Sequence, residues 1–297
     1  MRALSPRAQG LIAINVTALV FGSAALFGKL PLSPFWIVGI RASFAVAALA
    51  LWVWLGPARR SPLGSIPREL WPTALSSAVI LAAHWLTFFA VVQLAGVAVA
   101  TLTFATFPLF TVLLEAWRQR RRPHLVEILA AGTIVIAVSL LVSPASGHAN
   151  PSAALMGIGS ACCYAAYWQL SGALSSRIPP VTICLYQSII VALVALPALP
   201  LVARGPTQPT EWLCLAWFGV VNTALVPLLY LYALRRLSPS TCSGFVALEP
   251  VYAITLAALL FHDQVSAWTV VSGLLIVSAS YVLLRLEVAA PQGIEAG

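Results

Sequence analysis

Apolar residues run along this chain in long, nearly unbroken blocks, separated by short polar stretches and by proline or glycine. A block of about twenty residues, rising about 1.5 Å per residue as a helix, crosses a hydrocarbon core of roughly 30 Å. The pattern predicts ten such helices, over 8–28, 34–55, 72–93, 97–117, 125–143, 153–173, 181–203, 212–234, 240–261 and 267–285. Turn chemistry supports the breaks: Pro31 and Pro34 follow the first block, Gly56-Pro57 the second, and Pro123 precedes the fifth. Ser143-Pro144, Gly147 and Asn150-Pro151 divide the chain near its middle, and Pro179-Pro180 opens the seventh block. The links Leu94-Ala95-Gly96 and Arg235 to Pro239 are tight, and predict helical hairpins of three with four and eight with nine.

Composition agrees with a bilayer as solvent. Of 297 residues 61% are hydrophobic and 8% charged, against roughly 25% charged in soluble domains. The connections are too short for a soluble domain of useful size. The first ten residues followed by an apolar stretch have the layout of a signal peptide, but no A-x-A-like site follows, so the stretch is expected to be a retained first helix. Cys162, Cys163, Cys184, Cys214 and Cys242 all lie in apolar blocks, without a CxxC pair or a histidine at ligand spacing. Small packing residues are expected there, not metal ligands, and no cofactor is implied.

Charge sets the orientation. With the N-terminus cytoplasmic, Arg2, Arg7, Arg59, Arg60, Arg68, Arg118, Arg120, Arg121, Arg122, Arg177, Arg235, Arg236 and Arg285 fall inside. Lys29 and Arg204 fall outside, and Arg41 lies within the second span. The positive-inside rule then places both termini in the cytoplasm. The net charge of +8 is therefore a topology signal, and no nucleic-acid partner is expected.

Five spans per half make the second half enter from the opposite face. Sliding the sequence by 142 sets Pro108 on Pro250 in spans four and nine, and the Leu94–Gly96 link on Arg236–Ser238. A slide of 143 sets Phe21-Gly22 on Tyr164-Ala165, and one of 141 sets Gly132 on Gly273. The expected fold is an all-α integral membrane protein of ten transmembrane helices in two inverted five-helix repeats, 1–147 and 148–297. Inverted repeats are typical of secondary transporters, with the site at the repeat interface near the midplane.

Polar groups inside hydrocarbon are costly and mark candidate sites. Counting rise from the nearer loop, His84, Asn222, Tyr164 and Glu249 lie roughly 15–18 Å deep, on spans three, eight, six and nine. Glu249 would act on a proton or a substrate amine, or else bond to backbone freed by Pro250. His84 would shuttle protons, bind substrate or simply pack. Asn15, Gln169, Gln187 and Asn222 line a cavity or join helices. The candidate substrate-binding set is His84, Trp85, Tyr164, Trp168, Asn222, Glu249, Thr101 and Asn15. About a third of the aromatics near this depth (Trp85, Phe88, Phe104, Phe107, Tyr167, Trp168, Phe245, Tyr252) are expected at a cavity. Arg41, about 10 Å from the outer end of its span, is expected to be structural or gating. Asp263 and Glu211 are expected to be solvated. With no Lys or Arg assigned to the midplane, the expected cargo is neutral, zwitterionic or cationic.

Phe21-Gly22-Ser23 with Lys29, Ile40-Arg41-Ala42, Val97-Ala98-Val99-Ala100-Thr101 leading to Phe107-Pro108-Leu109-Phe110, and Leu248-Glu249-Pro250-Val251-Tyr252-Ala253 with His262-Asp263 recur in order. In these the chain resembles the drug/metabolite transporter superfamily, specifically its EamA-type members, over nearly its whole length. Phe21 stands where the family has Trp, and the fourth span ends in Glu115 to Arg122 where it has Gly-Glu. The resemblance implies a secondary exporter of amino acids or other small metabolites. The very short loops, with no transit-like segment, point to a bacterial inner membrane, and with no His/Asp/Glu cluster near a membrane surface an enzyme is not expected. Cationic-drug export is the alternative, with sugar-phosphate or nucleotide-sugar exchange behind it. The expected partners are a small-molecule substrate and the lipid bilayer; proton coupling stays open, as does monomer against homodimer.

Overall fold

Helices account for nearly all of the computed structural model, which describes residues 5–55, 66–118, 120–143, 150–175, 177–202, 205–234, 236–237, 245–246 and 248–289. Arg2, Gly56-Pro57, Arg59, Arg60, Pro144, Gly147, Arg204, Arg235, Pro239, Cys242, the first residues of the ninth span and the proposed boundary at 147/148 lie outside these residues.

The first span is Pro6–Ala24, continued as a tighter turn over Ala25–Lys29; Ser5 caps it by accepting the Ala8 amide. Pro34–Leu55 forms the second. Helical structure then runs from Trp71 to Phe104 through both the third span and the start of the fourth. Gly96 interrupts it, with φ 84° and ψ 171°, a left-handed backbone that glycine adopts without steric cost. This is the tight link expected at Leu94–Gly96. Span four resumes over Phe107–Arg118 and span five is Leu125–Leu141. The second half comprises Pro151–Ser175, Pro180–Ala195 with Leu196–Leu201, an eighth span Pro209–Leu234, Glu249–Phe261 and Ala267–Ala289. Five described helices are long and apolar enough to cross a membrane unaided. The fourth span falls short of that length because it is broken, not because the apolar run ends.

The break in span four has a clear cause. Pro108 has no amide hydrogen, so the turn at Ala105–Thr106 leaves the helix ladder open. The Leu109 amide bonds to Thr106 O at 3.0 Å, leaving Ala105 O free, and Ser280 Oγ of the tenth span donates to it at 2.8 Å. Irregular backbone inside a membrane protein is tolerated when protein supplies such a partner. Pro250 stands at the corresponding place, as the second residue of Glu249–Phe261.

Packing follows the internal repeat. Span one packs on eight and nine, and span six packs on three and four. Span two packs on eight as seven packs on three, while two pairs with seven and five with ten. Exchanging each span for its counterpart five places along maps these pairs onto one another, which is what a two-fold relation between halves requires. Small residues permit the closest crossings. A β-carbon on Gly22 would sit 2.6 Å from Tyr252 Cβ, and one on Gly219 would sit 2.4 Å from the Arg41 carbonyl oxygen.

Two acidic residues expected to be solvated are engaged. Glu211 is buried and accepts the amides of Thr207 at 2.7 Å and Gln208 at 3.0 Å, closing the start of the eighth span as a capping box. Asp263 pairs with Lys29, whose ammonium also lies 4.6 Å from the Phe261 ring centroid. Loop-end acids look free in sequence because the groups they meet are backbone amides, or side chains from the other half.

Candidate functional site

Where spans from both halves meet, they enclose a cavity of about 110 Å³. The third span contributes Leu81, His84, Trp85, Phe88 and Phe89, spaced to share one helical face. The sixth adds Tyr164, Tyr167 and Trp168, the seventh Cys184, Gln187 and Ser188, and the eighth Asn222, Thr223, Pro227 and Tyr230. Phe21, Arg41, Phe104 and Glu249 come from spans one, two, four and nine. Of the eight residues singled out in the sequence, His84, Trp85, Tyr164, Trp168, Asn222 and Glu249 are brought together here.

Thr101 and Asn15 are not. Thr101 is buried and donates to the Val97 carbonyl at 2.8 Å, and Asn15 donates to the Leu11 carbonyl at 2.8 Å. Each side chain is spent on its own helix, a habit of polar residues in helices that depth alone does not reveal.

His84 is fixed by Ser160. Ser160 Oγ donates to the His84 carbonyl at 3.0 Å, so its oxygen is left to accept from the ring, and His84 Nδ1 lies 2.8 Å from it and 3.1 Å from the Ser160 carbonyl. Both acceptors assign the ring proton to Nδ1, and Nε2 of the neutral ring is then an acceptor without a partner among the described residues. Tyr164 and Phe104 flank the imidazole at centroid distances of 4.7 and 5.2 Å. From Tyr164 the aromatic wall continues through Tyr167 and Trp168 to Tyr230. Gln187, expected either at a cavity or between helices, does both: its Nε2 donates to Ser77 and Ser171, at 3.0 and 2.9 Å.

Asn222 lies in a π-helical stretch, Phe218–Leu225, inside the eighth span. Its Nδ2 donates to the Val20 carbonyl at 2.7 Å, while its buried Oδ1 finds no partner among the described residues. π-bulges inside α-helices occur frequently at functional sites. Glu249 is the first residue of its helix and is buried; no hydrogen bond or ion pair holds its carboxylate among the described residues.

Arg41 corrects the sequence reading most. The cavity does contain a cation: Arg41 is 4% exposed and lines it together with Trp85 and Asn222. Its Cα depth had set it apart, but a long side chain carries the guanidinium well beyond its own turn. Ser160, Tyr230 and Thr223 are further wall or support residues that sequence reasoning passed over. Spacing of three from Pro227 would have found the aromatic one, Tyr230. No group of three or more His, Cys, Asp or Glu placed to hold a metal occurs among the described residues.

Ten membrane helices, packed as two exchanging halves around an aromatic-walled cavity with a few polar groups, define a polytopic membrane transporter. The chain belongs to the EamA-like transporter family, whose model matches residues 8–143 and 151–285, once in each half. It is 23% identical over 258 residues to the uncharacterized transporter YxxF of Bacillus subtilis (strain 168), covering 84% of this chain and 81% of that one. A crystal structure 19% identical in sequence superposes with a TM-score of 0.66 over 94% of this chain and 98% of its own, a likeness of fold.

Proposed function

We propose that this transporter is a secondary exporter of amino acids or similar small zwitterionic metabolites, working by alternating access across a bacterial cytoplasmic membrane. Both termini face the cytoplasm, as the basic residues favour, and the halves divide at 147/148. The observation that carries the reading is Glu249: a carboxylate in a cavity built by both halves, with no partner among the described residues. A buried carboxylate is stabilised by a cation or a proton, and a substrate ammonium meets that need when cargo binds. Its place at a helix start inside the bundle suits transporters, whose broken helices lie around the substrate. His84, Trp85, Tyr164, Trp168 and Asn222 complete the contact surface; Thr101 and Asn15 act in packing.

Cationic-drug export is the second reading, favoured by the same carboxylate and by aromatic faces that attract cations. Uptake of labelled amino acids into proteoliposomes, with and without a pH gradient, separates the two. Saturable uptake is expected, falling about tenfold or more in Glu249→Gln as one charge-assisted contact is lost, with an unchanged melting temperature. Flux of lipophilic cations without any amino-acid flux would move the assignment to drugs.

A further inference from the structure

Among the described residues Arg41 is a buried cation without an anion. Among the described residues its guanidinium makes one hydrogen bond, from Nε to Thr223 Oγ1 at 3.0 Å, and no ion pair. Thr223 is itself anchored, donating to the Phe218 carbonyl at 3.2 Å within the π-helical stretch. The guanidinium carbon lies 3.8 Å from the Trp85 ring centroid and 3.9 Å from that of Phe218, with Phe89 at 5.7 Å. Aromatic rings attract the charge but accept no in-plane hydrogen bond. Of five guanidinium N–H groups, Nε–H is used and the four on the terminal nitrogens are not. Those nitrogens belong to a residue of the cavity wall, and neither is sealed off from it.

Leaving an arginine so deep in hydrocarbon without an acid is costly. A purely structural role would be served by a neighbouring carboxylate, yet Glu249 lines the same cavity and is not paired with it. Two opposite charges held apart in one cavity match a molecule that carries both. We propose that Arg41 is the carboxylate-binding subsite, and that it selects zwitterionic amino acids over the corresponding amines. The clamped Nε leaves the two terminal nitrogens as a fork, the geometry that suits a carboxylate taken bidentately. Glu249 meets the ammonium, and the rings of Trp85, Phe88 and Tyr164 meet the side chain. This assignment rests on the proposed function and narrows its cargo.

The test compares each amino acid with its decarboxylated amine in proteoliposomes: phenylalanine with phenethylamine, tryptophan with tryptamine, leucine with isoamylamine. Wild-type protein is expected to favour the acid in kcat/KM by about ten- to hundredfold, the worth of a lost charge-assisted contact. Arg41→Gln is expected to collapse that ratio towards one by losing acid flux while amine flux persists, and Arg41→Lys to recover part of it. Equal wild-type flux of acid and amine overturns the subsite and leaves the transporter reading standing; that arm needs no variant to fold. An unchanged ratio in Arg41→Gln also overturns it. If wild-type protein moves neither member of any pair, the amino-acid reading falls and the subsite falls with it.

Discussion

At Gly157 a β-carbon would lie 2.0 Å from Thr103 Oγ1 and 2.8 Å from Thr103 Cβ, so only hydrogen fits between spans six and four. Thr103 has little freedom to retreat, because its hydroxyl donates to the Val99 carbonyl at 2.6 Å. Gly159 and Gly172, on the same helix, have nothing within 4 Å of a β-carbon. Gly157→Ala is therefore expected to destabilise by about 1–3 kcal/mol through overpacking. Gly159→Ala is expected to be neutral or slightly stabilising, since alanine is the better helix former. Thermal unfolding of the two variants in detergent checks the contrast. The sequence shows all three glycines alike, and only the packed neighbour tells them apart. The same holds for the candidate site. His84, Tyr164, Asn222 and Glu249 were legible as deep polar residues, but the face each presents was not, which is why Thr101 and Asn15 passed the same test and yet bond to their own helices.

Between Phe104 and Phe107 the fourth span stops being one helix, and its two pieces are held by a side chain from elsewhere. Removing the Ser280 hydroxyl leaves the Ala105 carbonyl without its donor. Ser280→Ala is expected to cost about 1–3 kcal/mol, the penalty of an unsatisfied buried polar group, read as a lower melting temperature. Pro108→Ala acts in the opposite sense. It returns an amide hydrogen to the ladder and lets the span straighten, so stability is expected to hold or rise by up to about 3 kcal/mol while transport falls severalfold. Uptake and melting temperature measured together distinguish this from simple misfolding, which lowers both. At this scale the sequence was informative: proline positions gave the breaks, and Leu94–Gly96 gave the hairpin. It did not announce the π-helical stretch at Phe218–Leu225, because no residue type demands one; within it the Thr223 hydroxyl donates to the Phe218 carbonyl.

Taken whole, the molecule is held together mainly across its halves: one with eight, three with six, two with seven, five with ten. Neither half can bury its own packing face alone. Residues 1–147 and 148–297 produced as separate chains are expected to restore uptake when co-expressed and to give none when expressed singly, and a protease-protection assay would show whether the single halves fold. The ten blocks were plain from hydropathy; which block touches which was hidden, since apolar runs in a bilayer carry little record of their neighbours. The cross-half design also has a consequence for how the protein is made. Arg41 enters the membrane with the second span, but its hydrogen-bond partner Thr223 lies 182 residues further along the chain. At a synthesis rate of about 5–20 residues per second, the ribosome needs roughly ten to forty seconds to deliver it. For that interval the guanidinium of the nascent chain lacks the hydrogen-bond acceptor that holds its Nε in the folded protein, a cost that keeping the second span near the headgroups or the insertion machinery until the eighth arrives would lower.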